Sequence, residues 1–197
     1  MAPAKKLNTY TYQDYKDFDD SMRCEIIEGE VVMMSPSPIP MHQDIAGKIY
    51  ASMLQFFKGK KCRPFMAALD IILDYHYNSE NSQIILQPDV LVLCDKSKLD
   101  RRGIIGAPDL VVEVISPSSA KYDFGKKLEL YLAYGVKEYW IVDSNAKTIH
   151  LNFEVNKDYE EIIYYADDRD KNIIKSRLFS GLELELNDIF DADYWKD

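Results

Sequence analysis

Ala107-Pro108-Asp109-Leu110-Val111-Val112-Glu113-Val114-Ile115-Ser116-Pro117-Ser118-Ser119 is the stretch that decides the fold. Leu110 to Ile115 is a short, β-branched apolar run between turn residues, the pattern of a strand covered on both faces. The Ser116-Pro117 step stops it, and a helix is predicted to start near Tyr122. A charge inside such a run is costly to bury unless something pairs with it. Glu113 therefore needs a partner, and a metal ion or a lysine is the usual answer. The plain alternative is an ordinary buried salt bridge.

Downstream, Tyr122 to Tyr134 reads as a helix ended by Gly135, with Phe124, Leu128 and Leu132 as its buried stripe. At about 100° per residue, Asp123, Lys127, Tyr131 and Tyr134 form the band beside that stripe, while Lys126 points to the far side. Of the paired lysines, Lys127 is the one able to face the strand's carboxylate. Glu138 to Asp143 is a further buried strand.

Upstream, Phe65 to Asp74 and Ile84 to Cys94 are strand candidates separated by the polar tip 77–82. Asp89 opens the apolar half of the second. Neighbouring strands lie about 4.8 Å apart, so carboxylates at matching heights can share one divalent ion. Asp109 is four residues from Glu113, about 13 Å along a strand, and too far to share it comfortably. Asp89 is the better partner.

At the N-terminus, Thr9 to Asp20 reads as a short capped helix whose Tyr12, Tyr15 and Phe18 stripe suits packing. Arg23 to Met34 is a hairpin around Glu28-Gly29, and residues 35–40 form a proline-rich extended connection. Met41 to Lys58 is the next helix. His42 lies in its first turn, where a lone histidine is either a capping or surface residue or a participant in a site. The loop Asp95 to Gly106 carries Lys96, Lys98, Arg101 and Arg102, usually just solvated but also the best local candidate to touch a phosphate backbone. Strands near Thr148–Val155, Tyr159–Tyr165 and Lys175–Phe179 suggest an antiparallel extension, closed by Leu182 to Phe190 and an acidic tail.

The 197 residues can bury a real core, and 47% apolar content with 14 Tyr and 8 Phe is globular. Twenty-four basic against 33 acidic residues give a formal charge of −9. That argues against a general nucleic-acid coat protein. It leaves open an enzyme whose acidic site needs a cation before it approaches phosphate. Cys24, Cys62 and Cys94 show no zinc spacing and read as buried free thiols in a reducing compartment. Neither a signal peptide nor a membrane span is visible, so a cytoplasmic protein is expected.

Pro88-Asp89 followed by Glu113 on the next strand resembles the PD-(D/E)XK nuclease superfamily, the restriction-endonuclease-like fold. More narrowly, GAPDLVVEVISPSS, then Asp123, Lys127 and Tyr131 at four-residue steps, then GVKEYWIVD, resembles the Uma-two family, described as "putative restriction endonucleases". CEIIEGEVVMMSPSP and His42 add to that resemblance, which runs closely from Tyr10 to Asp143 and more loosely to Phe190. It implies an α/β fold with a central mixed β-sheet flanked by helices, an N-terminal hairpin and an antiparallel C-terminal extension. The expected organisation is one domain over 1–197, with helix and hairpin at 9–34, core at about 41–143 and extension at 147–190.

The same resemblance implies Mg²⁺-dependent hydrolysis of phosphodiester bonds, with Mn²⁺ as a substitute and DNA as the substrate. Asp89, Glu113 and the backbone carbonyl of Val114 would hold the ion. The superfamily expects a lysine two residues after Glu113, where this chain has Ile115. In the family the lysine moves to the following helix, at Lys127, where it would orient the attacking water. Glu25 and His42 match further family positions. A homodimer is expected, since cutting two strands favours two sites. The alternatives are a nuclease-fold protein with little catalysis that binds or regulates, and an interaction protein whose Glu113–Lys127 pair is only a buried salt bridge.

Overall fold

The computed structural model describes residues 9–19, 22–34, 39–75, 79–116, 119–156 and 158–191. Helix α1 (Tyr12–Lys16) precedes the hairpin β1 (Cys24–Ile27) and β2 (Glu30–Met33), then α2 (Pro40–Phe56). Seven strands follow: β3 (Arg63–Met66), β4 (Ile71–Ile72), β5 (Ile85–Leu86), β6 (Val90–Leu93), β7 (Leu99–Asp100), β8 (Gly103–Ile105) and β9 (Leu110–Ile115). A π-helical segment, Tyr122–Lys127, runs directly into α3 (Leu128–Ala133). Strands β10 (Glu138–Asp143), β11 (Thr148–Val155), β12 (Asp158–Tyr165), β13 (Ile173–Lys175) and β14 (Glu183–Glu185) and helix α4 (Leu186–Ile189) complete the order.

Strand β9 sits inside a six-stranded mixed sheet ordered β12-β11-β10-β9-β6-β3. It runs parallel to β10, across the helical connection, and antiparallel to β6. All six of its residues are buried, as its apolar run predicts. Alternate residues feed two cores. Leu110, Val112 and Val114 pack with Ile45, Ile49 and Met53 of α2. Val111 and Ile115 pack with Leu130, Tyr131 and Tyr139 on the α3 side. Glu113, in step with Val111 and Ile115, belongs to that second face.

A second six-stranded sheet is ordered β2-β1-β5-β4-β8-β7. The N-terminal hairpin is thus the margin of a full sheet instead of an appendage. Its turn has positive φ at both Glu28 and Gly29, and a Cβ on Gly29 would come within 2.9 Å of Thr9. Helix α1 is fixed by a capping box between Thr11 and Asp14. Its aromatic residues pack with Ile26, Ile72 and Ile85. As expected, this stripe is packing.

Several expectations are corrected. The continuous strands predicted over Phe65–Asp74 and Ile84–Cys94 are each split between the two sheets, β3 and β6 in one, β4 and β5 in the other. Pro88 has no N–H for a ladder, and the Gln87 N–H is taken by the Glu25 carboxylate at 2.8 Å. The helical stripe is also rotated. Phe124 is exposed and Leu128 and Leu132 are half-buried, whereas Asp123, Lys127, Leu130 and Tyr131 are buried. The band expected beside the stripe is the one turned inward, because Lys127 and Tyr131 bond Glu113 and Asp123 pairs with Lys127.

Cys62 and Cys94 form a disulfide, so only Cys24 is a buried free thiol. Antiparallel pairing of Arg63 with Leu93 brings the two cysteines face to face one step further along. The expected third C-terminal strand at Lys175–Phe179 is instead β13, paired with β14 in a separate ribbon. The extended connection at 35–38, the tip residues 76–78, Pro117 and the acidic tail from 192 lie outside the described residues.

Candidate active site

The cleft forms where the two sheets separate and where the first turn of α2 and the π-helical segment approach β9 from opposite faces. Its volume is about 650 Å³, and its lining includes Glu25, His42, Asp89, Glu113, Asp123 and Lys127. Val90 pairs with Val112 in the β6–β9 ladder, so Asp89, one step earlier, lies opposite Glu113. The matching heights expected for the two carboxylates follow from this register. Asp109, by contrast, accepts from the Cys94 N–H at 2.8 Å and from Lys137 at 2.9 Å, away from Glu113.

Asp89 Oδ2 accepts the N–H of Val114 at 2.8 Å, and His42 Nε2 lies 3.2 Å from the same oxygen. Helix α2 begins with Pro40 and buries Ile45, Ile49 and Met53 against the sheet, which places His42 over Asp89. Among the described residues, His42 Nδ1 is buried without a hydrogen-bond partner. Burial pushes the imidazole pKa down, but Asp89 and the Val114 backbone more than reverse this, so the net shift is upward.

Lys127 Nζ lies 3.0 Å from Glu113 Oε1, 3.0 Å from Glu25 Oε2 and 3.4 Å from Asp123 Oδ1. Tyr131 donates its hydroxyl to Glu113 Oε1 at 2.9 Å. A residue four positions on overshoots one α turn and falls short of one π turn. The π step from Asp123 to Lys127 and the α step from Lys127 to Tyr131 therefore offset each other, and all three face the strand. The Tyr139 hydroxyl donates to the Asp123 carbonyl at 3.2 Å and ties this segment to β10.

Burial raises the Glu113 carboxyl well above its ordinary range; Lys127 opposes this, while Asp123, Asp89 and Glu25 add to it. Burial lowers the Lys127 pKa, but Glu113, Glu25 and Asp123 outweigh it and the ammonium is held charged. Lys126 is outside this cluster, paired with Glu28 at 2.7 Å. The structure thus brings together all five side chains singled out in the sequence: Glu25, His42, Asp89, Glu113 and Lys127.

The sequence reading passed over Asp123 and Tyr131 as site residues. Their four-residue spacing to Lys127, which puts all three in one band, was the available signal. Arg23 at the cleft was also passed over. The basic loop contributes nothing to the described lining: Lys98 donates to the Ala107 carbonyl at 2.7 Å, and Arg102 pairs with Asp100 at 3.2 Å. Among the described residues, no three His, Cys, Asp or Glu side chains converge as a ready metal cage. The donor set instead offers two facing carboxylates and a strand carbonyl, which suits a hard cation that keeps much of its water.

A protein of Synechocystis sp. described as uncharacterized is 29% identical over 171 residues, covering 85% of each chain. The crystal structure of a "putative nuclease" belonging to DUF820 from Anabaena variabilis superposes with a TM-score of 0.72 at 20% identity, covering 92% of this chain and 98% of that one. That likeness shows the restriction-endonuclease-like fold. Residues 10–187 match the family described as "Putative restriction endonuclease", and the chain belongs to this Uma2 family.

Proposed function

We propose that the chain is a divalent-metal-dependent endonuclease that hydrolyses phosphodiester bonds in DNA. The observation that carries this reading is the convergence of Lys127 on Glu113 directly across from Asp89. Glu25, Asp89, Glu113 and Asp123 line one cleft with Lys127 as their buried ammonium, an excess of negative charge suited to a cation. Asp89, Glu113 and the Val114 carbonyl would hold Mg²⁺, or Mn²⁺ in its place. When bound, such an ion polarises the phosphate and lowers the pKa of a water.

The protein side chains do the positioning. Lys127 keeps its proton at Nζ and offsets charge that develops as phosphate is attacked. Glu25 and Asp123 hold that ammonium in place, and Tyr131 fixes the Glu113 carboxylate through Oε1. His42 orients Asp89 from the opposite face.

Titration of Mn²⁺ by calorimetry into the parent and Glu113→Gln, followed by DNA hydrolysis assays in Mg²⁺ and Mn²⁺, tests this. Binding and cleavage that vanish in the variant are expected. A variant that binds the ion as tightly as the parent would show the site assignment to be wrong. The second reading, a nuclease-fold module that binds or regulates, draws on the formal charge of −9. Ion binding without turnover would favour it. A homodimer is part of the proposal, with the outer strand β12 as its candidate interface, and sedimentation equilibrium measures it.

A further inference from the structure

We infer that the cleft takes a single strand, with unstacked bases resting on Tyr122 in its lining and on Phe124 beyond it, and not an intact duplex. This rests on the nuclease reading and names the substrate class of the same site. The π-helical segment turns its residues both ways: Asp123 is 2% exposed inside the site, while its neighbours Tyr122 and Phe124 are 40% and 38% exposed. Tyr122 lines the cleft. Phe124 meets the His150 ring in a T-shaped contact, with centroids 4.9 Å apart, which holds its ring in place. His150 is in turn held by Glu161 at 2.8 Å. Across the opening, Met33 and Ile39 are 63% and 57% exposed and also line the cleft.

Apolar and aromatic rims with buried acids suit bases that can leave a stack, since every base has a face to lay on an aromatic ring. Duplex and single-strand binding both draw on basic side chains that meet phosphates, and a single strand adds the stacking of its bases. Here Arg23, His42 and Lys127 are the basic side chains among the described lining residues, and Lys127 is already enclosed by carboxylates. Glu113 is itself 5% exposed, at the bottom of the cleft, where a flexible strand reaches more easily than a stacked helix.

Fluorescence anisotropy in Ca²⁺ with a labelled oligodeoxynucleotide of about 20 residues, single-stranded or annealed, tests this. The parent is expected to bind the single strand at least about tenfold more tightly than the duplex. Tyr122→Ala combined with Phe124→Ala is expected to weaken the single strand by about tenfold or more. Melting temperatures check that the variant is folded, and the parent comparison needs no variant. Equal or tighter duplex binding, or a double variant with parental affinity, overturns the inference. Duplex cleavage with such affinities would leave the nuclease reading standing. Single-strand binding without hydrolysis would remove the nuclease reading and leave this one.

Discussion

The carboxylate of Asp89 accepts the backbone N–H of Val114 at 2.8 Å, so the acid that opens β6 is fastened to the residue after Glu113 on β9. This bond holds the two facing acids at one height where the chain changes sheets. It makes Asp89 both a candidate ligand and a clamp on the strand. Asp89→Asn keeps an oxygen acceptor for Val114, and is expected to lose Mn²⁺ affinity while melting within a few degrees of the parent. Calorimetry and thermal melting together separate the two roles.

For the parent, Mn²⁺ at about 100 times its dissociation constant is expected to stabilise the fold by about 2.7 kcal/mol. Thermal melting in Mn²⁺ against chelator measures it. Glu113→Gln is expected to abolish the increase, because it removes the carboxylate opposite Asp89.

Lys127→Ala leaves Glu25, Glu113 and Asp123 buried without their shared cation. A loss of about 3–5 kcal/mol at neutral pH is expected from chemical denaturation. Turnover should fall more than ion affinity; unchanged turnover would put the catalytic lysine elsewhere.

The pH dependence has an unusual sign. Burial raises the carboxyl pKa values of Glu113, Asp123, Asp70 and Glu138. A group raised in the folded state contributes stability that is fully present below its unfolded pKa and lost as pH rises through the folded one. His42, also raised, acts in the same direction. The metal-free protein is therefore expected to lose stability as pH rises above the ordinary carboxylate range. At the acid end, Asp14, Asp95 and Asp100 are lowered by hydrogen bonds, and their contributions are lost as pH falls through their folded values. Glu113→Gln should reduce that loss. Melting curves in chelator across this range decide it.

Thiol titration of the unfolded, unreduced chain is expected to find Cys24 alone, and all 3 cysteines after reduction. Reduction is expected to lower stability by about 3 kcal/mol. Three thiols without reductant would return Cys62 and Cys94 to the free state expected from their spacing.

Glu138 serves as a control away from the cleft. It accepts from Trp140 at 2.6 Å, from Ser176 at 3.1 Å and from the Arg177 and Leu178 N–H groups at 2.8 and 2.7 Å. Glu138→Ala leaves these buried donors unpaired and is expected to cost several kcal/mol. Mn²⁺ affinity of the folded fraction should stay at the parental value, measured by calorimetry below the melting temperature.

The sequence by itself determined that Leu110–Ile115 is a buried strand, that Glu113 needs a partner, and that Lys127 rather than Lys126 can supply it. These follow from local periodicity, which acts over a few residues and is written in residue type. Only the tertiary structure decided that the strands around Ala67 and Gln87 divide between two sheets, because sheet membership depends on non-local ladders that an apolar run does not specify. Only it decided that Cys62 meets Cys94, since strand pairing closes their separation of 32 residues. It also decided that the band of Asp123, Lys127 and Tyr131, and not the apolar stripe beside it, turns to the buried Glu113, since that depends on how the helix docks on the sheet. Glu25 comes under Lys127 for the same reason: a hairpin far upstream is carried there by its sheet, and no local pattern records where a sheet will dock.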